Sequence, residues 1–149
     1  MARAKSLKKK KLVMVSGGFD PVHVGHLRMF QEAKKLGDEL VVVLNCDRWL
    51  HKKKGKAFMN SADRSEIIKG FACVDHVYVL ETERMDVGEA IEHWKPAIFA
   101  NGGDRRSEKD IPEVIVCNKL GVQMVFNVGG DKLRSSSELL KSYHSPKQS

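Results

Sequence analysis

A chain of 149 residues, 42% hydrophobic and 30% charged, has the size and make-up of one soluble domain with its own core. It holds no apolar run long enough to span a bilayer, and its N-terminus lacks the apolar stretch of a secretory signal. The formal net charge of +7 favours an anionic partner. The three cysteines are odd in number, widely spaced and without zinc-ligand spacing, which points to a reduced, cytoplasmic setting rather than a disulfide framework.

In chain order, residues 1–10, with Lys5 and Lys8 to Lys10, read as a flexible basic arm. The apolar run Leu12–Val15 predicts a strand. It leads into Gly17-Gly18-Phe19-Asp20-Pro21-Val22-His23-Val24-Gly25-His26, and an amphipathic segment follows from Leu27 to Leu36. There Leu27, Phe30, Ala33 and Leu36 form a stripe, and Gly37 is placed to close the helix. A strand, a glycine turn and a helix start therefore meet at two histidines. Leu40–Leu44 predicts a second strand, and Asn45–Asn60 a loop carrying His51-Lys52-Lys53-Lys54-Gly55-Lys56. Ser61 or Asp63 can cap a helix carrying Ile67, Ile68 and Phe71. Val77–Leu80 predicts a strand. Val87, Ile91 and Trp94 fall at helical spacing before Pro96, and Ile98–Ala100 predicts a fourth strand. Pro112 suits a first helical position before Val114-Ile115-Val116 and Leu120, with Gly121 past the end. Val122–Val128 predicts a fifth strand. Ser135 or Ser136 can cap a last helix through Leu139 and Leu140, and residues 144–149 read as a disordered tail.

Apolar runs without polar alternation suit strands covered on both faces. Five of them alternating with helices predict a single α/β domain over residues 11–143, with a parallel sheet and helices on both faces. Ligands of such sheets bind outside the carboxyl ends of the strands, where strand order reverses. The loops Gly17–His26, Asn45–Asn60, Asn101–Ile111 and Gly129–Ser136 should then converge on one crevice.

The first of these loops carries the most chemistry. Gly17 and Gly18 permit tight turning and close approach of the backbone to a ligand. Gly25, at the helix start, leaves room for a phosphate beside free N–H groups at the positive end of the dipole. His23 and His26 lie one turn apart and add donors where charge builds up in phosphoryl chemistry. Asp20 either holds the turn or contacts a ligand hydroxyl or a metal. A zinc pair of histidines would lack its companion ligands.

The Gly17–His26 stretch resembles the signature of the HxGH nucleotidyltransferase (cytidylyltransferase-like) superfamily, whose fold is Rossmann-like. The similarity extends over about residues 11–143 and is nearest the heptose-phosphate adenylyltransferase and glycerol-3-phosphate cytidylyltransferase branches. The resemblance implies transfer of a nucleoside monophosphate from ATP or CTP to a sugar phosphate or polyol phosphate, with release of pyrophosphate. A cytidylyltransferase acting on glycerol 3-phosphate is the alternative within the family. A catalytically silent nucleotide- or nucleic-acid-binding module is the alternative outside it, motivated by the lysine arm.

By the same resemblance, His23 and His26 steady the transferring phosphoryl group, and a lysine of the second loop reaches the phosphates. Counting back from Arg64 favours Lys53, and counting forward from Asp47 favours Lys54; Lys52 falls on the acceptor side. Asp20 and Asp47 match acceptor-side positions, although an ordinary turn explains Asp47 equally well. Arg64 matches an arginine near a helix start and is expected among the catalytic residues, facing either an anion or a carboxylate. Gly17, Gly18, Phe19 and Gly25 would surround the nucleotide together with Asn101, Gly103, Asp104, Ser135, Ser136 and Ser137. The chain departs from the heptose-phosphate branch at Asn101 and Arg105, where that branch usually has lysine and an aromatic residue. Ala72 and Gly130 stand where the cytidylyltransferase branch has arginines, which leans toward ATP. The resemblance further implies Mg2+ held mainly by the nucleotide phosphates and a homodimer. Neither a membrane nor a nucleic acid is the expected partner.

Overall fold

The computed structural model describes residues 10–81, 87–102, 113–129 and 136–144, apart from the side chains of Lys53, Lys54, Ser137, Glu138 and His144. Among these residues the order is β1 (Leu12–Gly17), α1 (Val24–Lys34), β2 (Glu39–Asn45), α2 (Asp47–Lys54), α3 (Ser61–Lys69) and β3 (His76–Leu80). It continues with α4 (Gly88–Trp94), β4 (Ile98–Ala100), α5 (Val114–Leu120), β5 (Gln123–Val125) and α6 (Ser136–His144). The strands form one parallel sheet in the order β3-β2-β1-β4-β5. β1 pairs with β2 from Leu12↔Glu39 to Gly17↔Leu44, and with β4 at Val13↔Ile98 and Met14↔Phe99. No helix among the described residues is long and apolar enough to cross a membrane.

Alternation along the central strands makes two cores. Val13, Val15, Leu40, Val42, Leu44, Ile98 and Ala100 face one side, where Phe30 and Ala33 of α1 and Ile68 of α3 cover them. Met14, Val41, Val43 and Phe99 face the other, under Ala90 and Ile91 of α4 and Cys117 of α5. A fully buried side chain of this size contributes about 1.5–3 kcal/mol over an exposed one, so these two layers set the sheet's position. β1, β2 and β4 are buried on both faces as their composition predicts. β3 and β5 are only half-buried because they are the sheet's edges.

Several boundaries differ from the sequence expectation. The expected loop after β2 contains α2. Among its described side chains Leu50 is the one fully buried, so it shows no apolar stripe to read. α3 is capped by Asn60, whose Oδ1 accepts from the Asp63 amide at 2.8 Å, and not by Ser61 or Asp63. α1 begins at Val24 and is capped at Lys35. Gly37 serves packing instead, since a Cβ there would lie 2.7 Å from the Lys11 carbonyl oxygen. β5 is confined to Gln123–Val125, with Val122 and Val128 buried on either side of it.

From β1 the chain adds strands outward to β3, then returns to place β4 on β1's other side. The reversal lies between β1 and β4, so the crevice opens beside Gly17 and Ala100.

Candidate active site

The turn after β1 is shaped by close packing. A Cβ on Gly17 would lie 2.9 Å from Phe19 Cζ, and one on Gly18 would lie 2.9 Å from Leu50 Cδ2. Both glycines are therefore required for the ring of Phe19 and for α2 to seat. Phe19 adopts a left-handed φ of 50°, which places its ring in the core, 6% exposed, edge-on to His26 at 4.8 Å and to Phe30 at 5.1 Å. Its ring supports a histidine, so a nucleotide would meet Phe19 through its backbone.

His23 and His26 build the start of α1 themselves. His23 is the N-cap, and its Nδ1 accepts from the Gly25 amide at 3.1 Å. His26, at the third helical position, accepts at Nδ1 from the His23 amide at 3.2 Å. Two imidazoles thus form the reciprocal capping box usually made by Ser or Thr with Glu or Gln. A neutral imidazole that accepts at Nδ1 carries its proton on Nε2, so the hydrogen bonds assign both rings the Nε2–H tautomer. The rings stack at 3.7 Å, 24° from parallel. The arrangement leaves each Nε2 outside the capping hydrogen bonds, that of His23 buried, at the positive end of a helix dipole, where an anion is favoured.

Arg64 does not face a ligand. Its side chain is fully buried, and the guanidinium donates to the carbonyls of Met59 (Nε, 2.9 Å), Gly18 (Nη1, 2.7 Å) and Asn45 (Nη1, 2.8 Å) and to Asp47 Oδ1 (Nη2, 2.6 Å). The salt-bridge alternative is the one the structure adopts, and the catalytic expectation for Arg64 is corrected to a positioning one. It ties the Gly17-Gly18 turn to the end of β2 and to the start of α3.

The acceptor-side aspartates also hold the protein's own groups. Asp20 is 1% exposed, and its carboxylate oxygens accept from the Phe58 and Met59 amides at 2.6 Å each. It holds the turn. Asp47 accepts from Arg64 and, through Oδ2, from the Ser61 amide at 3.2 Å, so it joins α2 to α3.

Asn101, 6% exposed, knits β4 to the chain beyond β5. Its amide donates to Val125 O and its carbonyl accepts from the Val128 amide, both at 2.8 Å. That use of Asn101 is structural, and Gly103 and Asp104 lie outside the described residues. Ser136, at the start of α6, donates from Oγ to the Pro21 carbonyl at 2.8 Å and so brings the last helix onto the histidine turn. Ser135, Pro112 and Arg105 lie outside the described residues, as do the side chains of Lys53, Lys54 and Ser137 and the ends of the chain at 1–9 and 145–149. Lys52 is exposed on α2.

The described parts of the first, second and fourth loops therefore meet, joined by Asp20, Arg64 and Ser136. The third stands beside them through the pairing of β1 with β4. Sequence reasoning missed Asn60, Asn45 and Phe58. A polar residue before a helix is a readable sign for Asn60. Nothing local marks the other two, whose roles come from the side chains that reach them.

The sequence matches the Cytidylyltransferase-like family over residues 14–142. Bifunctional protein HldE of Geobacter metallireducens is 33% identical over 140 residues, covering 92% of this chain and 28% of that protein. FAD synthase of Thermococcus sibiricus is 40% identical over 100 residues, covering 66% of this chain and 67% of that protein. The chain thus spans less than a third of the HldE protein it matches. The crystal structure of the lipopolysaccharide core biosynthesis protein from Thermoplasma volcanium superposes with a TM-score of 0.68 at 28% identity, over 80% of this chain and 95% of that one. The sheet order, the histidine turn and the match across nearly all of the domain agree: the chain belongs to the Cytidylyltransferase-like family.

Proposed function

We propose that the chain is a nucleotidyltransferase that moves a nucleoside monophosphate from ATP or CTP to a sugar phosphate or polyol phosphate. An oxygen of the acceptor phosphate forms a bond to the α-phosphorus. The bond from that phosphorus to the bridging oxygen breaks, and pyrophosphate leaves with the electron pair. Such a reaction needs positioning and charge stabilisation more than a protein nucleophile.

The observation that carries the reading is the imidazole pair: stacked at 3.7 Å, with each Nδ1 held by the backbone and each Nε2 carrying its proton. Donors fixed before the reaction need no reorganisation as charge builds up on the phosphoryl oxygens. Gly25 and the start of α6 add backbone near the phosphates, and lysines of α2 supply mobile positive charge. Magnesium, held mainly by the nucleotide phosphates, would neutralise part of their charge. The donor set fits that role, because the nearest acidic side chain in the turn, Asp20, already accepts from two amides. A homodimer and a cytoplasmic setting belong to the same proposal.

The test is pyrophosphate release across four nucleoside triphosphates and a panel of sugar and polyol phosphates. The expected result is release that needs both substrates and falls about 10²–10³-fold in His26→Ala. Full turnover in that variant would remove the imidazole pair from the mechanism.

A further inference from the structure

Two buried charged groups fix the backbone of a residue whose side chain stands in solvent. Asp20, 1% exposed, accepts from the amides of Phe58 and Met59, and Arg64, fully buried, donates to the Met59 carbonyl. The residue that this arrangement holds up, Phe58, is 57% exposed. A single exposed apolar residue is ordinary on a protein surface. An exposed ring is different where the backbone is held at its own amide and at both polar groups of the next residue, because chain entropy has been lost without burial of the ring in return.

Its place in the fold gives it a use. Asp20 belongs to the turn that leads into His23, so the Phe58 backbone lies against the histidine turn. On its other side, Phe58 follows the end of α2, where Lys52 and Lys56 are exposed on either side of Gly55. An exposed apolar residue therefore sits in the connection from α2 to α3, joined by its backbone to the turn that leads into the anion-binding helix start and preceded in the chain by a cationic segment.

We infer that Phe58 is a specificity-determining contact for the acceptor, its ring taking the flat face of a ring-bearing phosphomonoester whose phosphate the neighbouring lysines receive. The inference rests on the nucleotidyl-transfer reading above and narrows its acceptor class. The shared chemistry is a phosphomonoester on a molecule that carries a flat ring, either a pyranose with a C–H face or a heteroaromatic system with a π face. An open-chain polyol phosphate offers no such face. Aromatic contact adds to simple area burial, and a backbone already held by hydrogen bonds loses little freedom on binding.

The test compares wild type, Phe58→Ala and Phe58→Tyr by pyrophosphate release with a hexose 1-phosphate, flavin mononucleotide and glycerol 3-phosphate, at saturating nucleotide. Wild type should favour one of the two ring acceptors over glycerol 3-phosphate, and the one favoured identifies the source of the ring. Phe58→Ala should raise KM for that acceptor roughly five- to tenfold, with kcat and the nucleotide KM within about twofold. Phe58→Tyr should stay near wild type, and the melting temperature should barely move because the ring is exposed. A preference for glycerol 3-phosphate, an unchanged acceptor KM in Phe58→Ala, or an effect confined to the nucleotide KM or to sedimentation overturns the inference alone. A wild-type protein that releases no pyrophosphate with any pair of substrates overturns the transfer reading, and this inference with it.

Discussion

Replacing Arg64 by methionine keeps most of the side chain's volume and removes the guanidinium. Three carbonyl oxygens, those of Gly18, Asn45 and Met59, then lose their donor in a place where the arginine had no solvent exposure. Each buried acceptor left unsatisfied costs about 1–3 kcal/mol, and truncating one side of a buried ionic group costs about 3–5 kcal/mol in all. The Asp47 side chain is 38% exposed, so its charge regains water and its share of the loss is discounted. We therefore expect Arg64→Met to lose about 3–4 kcal/mol, a large part of the roughly 5–15 kcal/mol that holds such a domain. Urea unfolding at a common slope gives this number directly, and a fall in Tm of about 6–15 °C should accompany it. Arg64→Lys, which keeps the charge but not the fork, should fall between the two. A loss below about 1 kcal/mol, or unchanged stability with abolished turnover, would refute the reasoning, because the guanidinium would then be serving a ligand.

His23→Ser and His26→Gln substitute the ordinary capping-box residues, so each should stay within about 1 kcal/mol of wild type while turnover falls about 10²–10³-fold; a proportional loss of both would make the histidines purely structural. Burial opposes ionisation of Asp75, but the Lys34 hydrogen bond, the Leu40 amide and the Lys34 charge outweigh it and hold its carboxyl below the usual value of 3.8. A lowered folded value means that the stabilisation is present above pH 3.8 and is lost as pH falls through that lowered value. The stability gap between wild type and Asp75→Asn, measured by urea unfolding, should accordingly close in strong acid and be full at neutral pH; a gap independent of pH would contradict it. Burial, with the Glu113 charge, pushes the Cys117 thiol up to about 11, and Cys46 is buried as well. Iodoacetamide should therefore modify the half-buried Cys73 first in the native protein, slowly because burial raises its thiol too, and reach the other two only on unfolding. Equal native rates in a mass-spectrometric time course would refute this.

The strands were legible because each falls in a short, mostly apolar run, and the helix after the first strand because Phe30 and Ala33 repeat at its period. α2 was not legible, since one buried leucine makes no stripe. Among the candidate site residues, the histidines and glycines of the first turn could be read in place, because a cap, a turn and a close approach are local events. The roles of Asp20, Asp47 and Arg64 could not, because a charged side chain near a loop looks the same whether it meets a ligand or a backbone carbonyl.

By itself the amino-acid order determined an alternating α/β domain with an anion-suited helix start after its first strand. Apolar period and capping chemistry act over a few residues, so they are written where they act. Only the tertiary structure decided that β4 returns to β1, and that Asp20 meets Phe58 38 residues away, Arg64 meets Gly18 46 away and Ser136 meets Pro21 115 away. Those partners are brought together by the packing of the sheet and its helices, and a buried polar group must bond to whatever that packing places beside it.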